Sequence, residues 1–170
     1  MPTRNNIESQ LEAAIEKNDR DAIEAVCQAA RTNPSDNGNL CAVVASILSK
    51  HDLHEDAVAM MDAGLEKCDK IHHGFIFIRG LYYYRLNNVK SAIKDYSALI
   101  DILSATDGYY NDAALVFRAE CYLKLGEYEL AKHDCLRVMD RDKKMWTHRL
   151  ISAVELIKEC DSSNRQAKRS

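Results

Sequence analysis

At 170 residues, with 46% apolar and 29% charged side chains, the chain is long enough for one domain with a substantial core and has an ordinary globular make-up. With 23 basic against 26 acidic residues the formal charge is −3, which removes any general electrostatic reason to seek nucleic acid or an acidic membrane. Only 2 Pro and 6 Gly occur and none gather into a linker, so a single continuous fold is expected.

Met1-Pro2-Thr3-Arg4-Asn5-Asn6 lacks the apolar core of an export signal, and no stretch approaches the ~20 apolar residues that cross a bilayer. Cys27, Cys41, Cys68, Cys121, Cys135 and Cys160 form no CxxC pair, so they read as small buried apolar residues in a reducing compartment. The expected location is therefore cytoplasmic. In chain order, apolar spacing predicts helices near 4–16, 20–31, 38–50, 55–67, 73–86, 90–104, 111–124, 128–139 and 144–159.

These helices are not independent of one another. Ala22/Val26, Ala57/Met61, Ala92/Tyr96 and Ala131/Cys135 each pair an alanine with a larger residue four positions on, and the alanines lie 35, 35 and 39 residues apart. Twelve residues before the last three alanines stand Ala45, Gly80 and Ala119, small residues that let two helices approach. Leu48, Tyr83 and Tyr122 come three positions later as the large partners of such an interface. Between the helices of each pair sit Asp52, Asn87 and Gly126, and the last two enter a left-handed turn cheaply. In the first unit Gln10 takes the place of the small residue.

The extra four residues between the third and fourth units belong to Ala105-Thr-Asp-Gly-Tyr-Tyr-Asn-Asp112, which either lengthens a helix or bulges as a loop. Phe75-Ile-Phe-Ile-Arg-Gly-Leu-Tyr-Tyr-Tyr84 is rich in strand-favouring residues, but the repeat register through Gly80, Tyr83 and Ala92 predicts helix. In the last predicted helix Trp146, Leu150, Val154 and Ile157 form one stripe, as expected of a lid over the final repeat, and 161–170 reads as a frayed polar tail.

The run Leu115 to Cys135, with Ala119, Tyr122, Gly126, Tyr128 and Ala131 in register, resembles a tetratricopeptide repeat, and so does Arg79 to Tyr96. Residues 38–71 and 3–36 are similar to further units, the latter closing on Pro34. The resemblance implies an all-α, right-handed superhelix of antiparallel helix pairs over 1–160. Its units would lie near 3–36, 38–71, 73–106 and 112–143, under a capping helix at 144–159.

The same resemblance implies protein–protein interaction without catalysis or cofactor, as an adaptor or scaffold that takes a partner peptide or helix on the inner face of the first helices. Carried over position by position, that face comprises Ala42, Ser46, Ser49 and Lys50, then Phe77, Leu81, Tyr84 and Arg85, then Val116, Glu120, Leu123 and Lys124. Lys50, Arg85 and Lys124 hold equivalent places and predict either a cationic ladder for an acidic, partly apolar ligand or simple complements to helix dipoles. The carboxylate clamp of heat-shock cofactors is absent, because Ile7, Leu11, Val43, Gly74 and Ile78 stand where its polar groups belong. A second reading is a single-client chaperone or inhibitor, similar to the class II chaperones of type III secretion. Self-association is a further partner class that an open groove permits.

Other clusters read as structural. His51-Asp-Leu-His54-Glu55-Asp56 has divalent-metal residue types, but it falls in a turn and opens a helix with an acidic pair. Adjacent His72 and His73 point about 100° apart on a helix and suit a helix start better than an ion. No phosphate loop, nucleophile elbow or metalloprotease motif occurs, and Arg165, Lys168 and Arg169 are too sparse to assign membrane or nucleic acid.

Overall fold

The computed structural model describes residues 4–34, 38–68, 70, 72–103, 108–147 and 149–167. Among them are helices α1 Arg4–Glu16, α2 Arg20–Thr32, α3 Asn39–Lys50, α4 His54–Glu66, α5 His73–Arg85, α6 Val89–Ile102, α7 Gly108–Lys124, α8 Tyr128–Arg137 and α9 Ala153–Ala167. One antiparallel ladder, β1 Met145–Trp146 with β2 Leu150–Ile151, lies between α8 and α9.

The turns between helices form for local reasons. Asn18, Asp52, Asn87 and Gly126 all have left-handed backbones, with φ of 52, 60, 60 and 79°, and each sits in the three-residue turn of its pair. Their spacing of 34, 35 and 39 residues follows the 35, 35 and 39 of the alanines to within one residue, and Asn18 adds a first-unit member. Asp19 caps α2 by accepting from the Ala22 amide at 3.0 Å, and Asn88 caps α6 through the Ser91 amide at 3.3 Å. The strand-favouring segment is helical in α5. His72 Nδ1 caps it by accepting from the Phe75 amide at 3.3 Å, and the imidazole stacks on Phe75.

The chain divides into two compact units between Leu86 and Asn87, inside the turn of the third repeat. In the first unit each helix packs on its sequence neighbour, and α1 also packs on α3 and α2 on α4, the stacking that a repeat array requires. Its core runs through Ile7, Leu11, Val26, Val44, Leu48, Met60 and Met61. Gly38, at φ +84°, lies so close to Gly64 that a side chain on it would strike the Gly64 carbonyl. Lys67 Nζ ties α4 back to the end of α2 by donating to the Ala30 and Asn33 carbonyls, each at 2.9 Å.

In the second unit α6, α7, α8 and α9 pack in series, and α9 also touches α7. Its core contains Ala92, Tyr96, Leu99, Leu115, Val116, Ala119, Ala131, Cys135 and Leu156. Arg118 on α7 donates from Nε and Nη2 to both Asp134 oxygens at 2.7 Å and from Nη1 to Ser97 at 2.8 Å, so one guanidinium joins three helices. Residues 104–107 of the predicted insertion lie outside the described residues; its remainder, Gly108–Asp112, extends α7 to 17 residues and so lengthens a helix.

The C-terminal expectation needs correction. Residues 144–147 and 149–152 are not helical, and Trp146 and Leu150 are a cross-strand pair, 73% and 45% exposed, instead of a buried stripe. The Asp112 carboxylate accepts from the Met139 amide at 3.1 Å and the Asp140 amide at 3.4 Å, pinning the bend that follows α8. Helix resumes only at Ser152, whose hydroxyl accepts from the Glu155 amide at 3.3 Å while Glu155 accepts from the Ser152 amide at 2.8 Å. That reciprocal cap shifts the last helix to 153–167, so Asp161–Ala167 is helical, not a frayed tail. Lys132–Asp161 at 2.6 Å and Glu129–Asn164 at 2.6 Å fasten it to α8.

Candidate functional site

The first helices of a repeat array lie side by side, and on the first unit this leaves a cleft of about 660 Å³ between α1 and α3. Glu8 and Glu12, one turn apart, form the α1 wall; Asn39, Ala42, Val43, Ser46, Ile47 and Lys50 form the α3 wall. The i, i+3, i+4 spacing places these residues on one side of each helix, while Ile7, Leu11, Val44 and Leu48 turn into the core. The cleft thus joins an apolar strip with carboxylates on one wall and an ammonium at the end of the other, so that apolar contact and hydrogen bonding are offered side by side.

The twelve residues expected on the inner face divide clearly. Ala42, Ser46 and Lys50 line the cleft. Ser49 is buried: its hydroxyl accepts from Arg85 Nη1 at 2.7 Å and meets His54 Nδ1 at 3.2 Å. Arg85 is therefore committed to a bond within its own unit, and burial, followed by the Arg85 charge, holds the His54 imidazole below its ordinary range. Phe77, Leu81 and Tyr84 on α5 are half-buried.

In the second unit Leu123 is half-buried and Lys124 exposed, but Val116 and Glu120 are closed off, a correction to the expectation of an open face. Arg149 covers Glu120, donating from Nε at 3.2 Å, and clasps Glu159 of α9 through Nη1 and Nη2 at 2.8 and 2.7 Å. Hydrogen bonding to Glu159, opposed by burial and reinforced by Glu120, raises the Arg149 guanidinium further above its usual value.

Sequence reasoning missed Glu8, Glu12, Asn39, Val43 and Ile47 as cleft residues. The available signal was the Glu8/Glu12 spacing beside the Ile7/Leu11 core stripe. The histidine clusters behave as structure: His54 opens α4 and His72 caps α5, and no group of three or more potential metal ligands gathers among the described residues. Burial pushes the thiols up, Cys27 to about 11 and Cys121 and Cys135 to about 12, so they are poor nucleophiles.

No protein-family model matches the chain. Over 78 residues it is 36% identical to Sperm-associated antigen 1 of Mus musculus, a stretch that covers 45% of this chain and 8% of that protein's length. Among solved structures it resembles a tetratricopeptide repeat protein from Parabacteroides merdae, with a TM-score of 0.64 and 17% identity over 98% of this chain and 63% of the other. It also resembles MamA, with a TM-score of 0.57 and 13% identity over 93% of this chain and 96% of that one.

Proposed function

We propose, on the premise that this chain has the tetratricopeptide repeat fold, that it is a protein–protein interaction module whose first unit receives a polypeptide segment of a partner in the α1/α3 cleft. The observation that carries this reading is the cleft itself. It lies between the first helices α1 and α3, and Ala42, Ser46 and Lys50 of the set expected from sequence are among its walls, which supports the reading. Its mixed lining favours a segment with an apolar side chain flanked by groups that answer both charges: a cation for Glu12, and a carboxylate or carbonyl for Lys50. This is less one-sided than the acidic ligand that a ladder of Lys50, Arg85 and Lys124 would select. Such a module fits an adaptor or scaffold role in the cytoplasm, without catalysis.

The test is partner capture from native lysate by wild type, by Ser46→Arg, which fills the exposed floor of the cleft, and by Glu24→Arg on the exposed side of α2. Proteins held by wild type and Glu24→Arg but lost with Ser46→Arg support the cleft. Equal capture by all three removes it.

A further inference from the structure

Three helices of the first unit meet on one hydroxyl. Ser49, near the end of α3, is buried, and its oxygen accepts from Arg85 Nη1 of α5 at 2.7 Å. The same oxygen lies 3.2 Å from His54 Nδ1 at the start of α4 and within hydrogen-bonding reach of the buried Tyr82 hydroxyl of α5. The other ring nitrogen, His54 Nε2, stands 3.5 Å from Asp52 in the turn. A carboxylate only accepts, so the neutral ring carries its proton on Nε2 and leaves Nδ1 to accept from the Ser49 hydroxyl. From the α2 side comes Arg20, which is paired with Asp56 at 2.8 Å.

A second proton on that ring changes what the hydroxyl can satisfy. Serine offers one donor and two lone pairs. With the ring neutral, the proton goes to His54 and the lone pairs to Arg85 and Tyr82. With the ring charged, Nδ1 becomes a third donor, and an imidazolium faces a guanidinium across a single oxygen. One donor has to leave. Tyr82 is fixed in the core and the His54 side chain is 14% exposed, whereas Arg85 is an exposed, flexible side chain in the last turn of its helix. Asp52 does little to offset the new charge, because it is 95% exposed and its pair with the ring is screened by water. Burial, followed by the Arg85 charge, already holds the imidazole below its ordinary range, so the ring is neutral at pH 7 and takes up its proton on acidification.

The freed side chain has a defined destination. Arg85 follows Lys50 by 35 residues, one repeat, and each lies in the last turn of the first helix of its pair. Lys50 lines the α1/α3 cleft, so the equivalent place on α5 belongs to the same inward side. We infer that His54 is an acid-operated catch on Arg85: protonation of the imidazole expels the guanidinium from Ser49 and adds it to Lys50, turning the first unit's inner face towards anionic polypeptide segments. The inference rests on the reading that this face receives polypeptide.

The full chain carries the test. An NMR titration from pH 7.5 to 5 should show the His54 ring taking up its proton and the Arg85 side-chain signal, identified by its loss in Arg85→Gln, moving with the same midpoint. His54→Gln, whose side-chain carbonyl can still accept from Ser49, should hold the Arg85 signal constant. An Arg85 signal that ignores the His54 titration overturns the catch. So does collapse of the amide spectrum at that midpoint, because the proton would then unfold the unit and not free one side chain.

The ligand probe is an N-acetylated, amidated peptide of leucine and cysteic acid, whose sulfonates stay ionised throughout, with a leucine–asparagine peptide as neutral control. Wild type should bind the anionic probe about threefold more tightly at the acid end, the scale of one exposed charge pair, and the control equally at both ends. Arg85→Gln should remove most of that gain and His54→Gln should keep binding weak. Ser49→Ala, which leaves Arg85 untethered, should bind tightly at both ends. A gain that survives in Arg85→Gln or in His54→Gln belongs to other histidines and overturns the switch in ligand preference. No probe binding at any pH, with His54 and Arg85 still titrating together, upholds the catch and overturns the reading of this face as a polypeptide site.

Discussion

Three residues carry more than their composition suggests. Gly38 has a left-handed backbone pressed against the Gly64 carbonyl, so Gly38→Ala adds both backbone strain and a clash. It should cost about 1–3 kcal/mol in urea unfolding, whereas Gly126→Ala, with only the Tyr128 hydroxyl near at 4.0 Å, should cost less. Arg118 and Asp134 form a buried pair, 12% and 2% exposed. Arg118→Ala would leave the buried Asp134 carboxylate only the longer Arg137 contact at 3.5 Å and should cost about 3 kcal/mol, while Arg118→Met with Asp134→Leu should recover much of that loss.

His54 gives the first unit a pH dependence of defined sign. Burial and the Arg85 charge depress its folded pKa, so the folded state takes up a proton less readily than the unfolded chain. The stability it contributes is complete above the unfolded histidine value and is lost as pH falls through that value towards the folded one. Denaturant midpoints measured between pH 7 and 5 should decline with acidity, and His54→Gln should flatten the decline. A decline of the same slope in the variant would remove His54 as its source.

At the scale of the element, the local rules of helix pairing explain most of what forms. Asn18, Asp52, Asn87 and Gly126 turn the chain, Asp19, His72 and Asn88 cap α2, α5 and α6, and alanines at Ala57, Ala92 and Ala131 sit fully buried where second helices pack. Aromatic and β-branched residues in α5 yield to that register because a helix there buries Phe75, Gly80 and Tyr82 against its neighbours. The last element obeys the same rules through a signal that apolar spacing alone overlooks: Ser152-Ala-Val-Glu155 is a capping box, and it starts the helix nine residues later than the Trp146/Leu150 stripe implies. Ser152→Ala with Glu155→Ala should fray the start of α9, read as faster amide exchange at Val154 and Leu156, without loosening α8.

For the whole molecule, all six cysteines are thiols, and five of them are buried while Cys68 is half-buried. Titration of the native chain with a thiol reagent at pH 8 should find one fast thiol, and the other five should react only on unfolding. Several fast thiols in the native state would contradict the burial that raises Cys27, Cys121 and Cys135. Thiols buried in this way act as core packing, which is why their scattered spacing forms no ligand or redox motif.

The repeat period, the positions of the turns, eight of the helices and the all-α class were legible in the sequence, because each depends on residues within about one repeat of each other: an alanine and its i+4 partner, a small residue that admits a neighbour, an asparagine or glycine in a left-handed turn. The fate of the inner face was not. Ser49 is taken by Arg85 from 36 residues away, Glu120 by Arg149 from 29, and Glu8 and Glu12 gain meaning only when α1 is laid beside α3. Local spacing decides which side of a helix faces inward. Whether that side stays open depends on where a distant charged side chain finds its lowest free energy, and only the packed chain determines that.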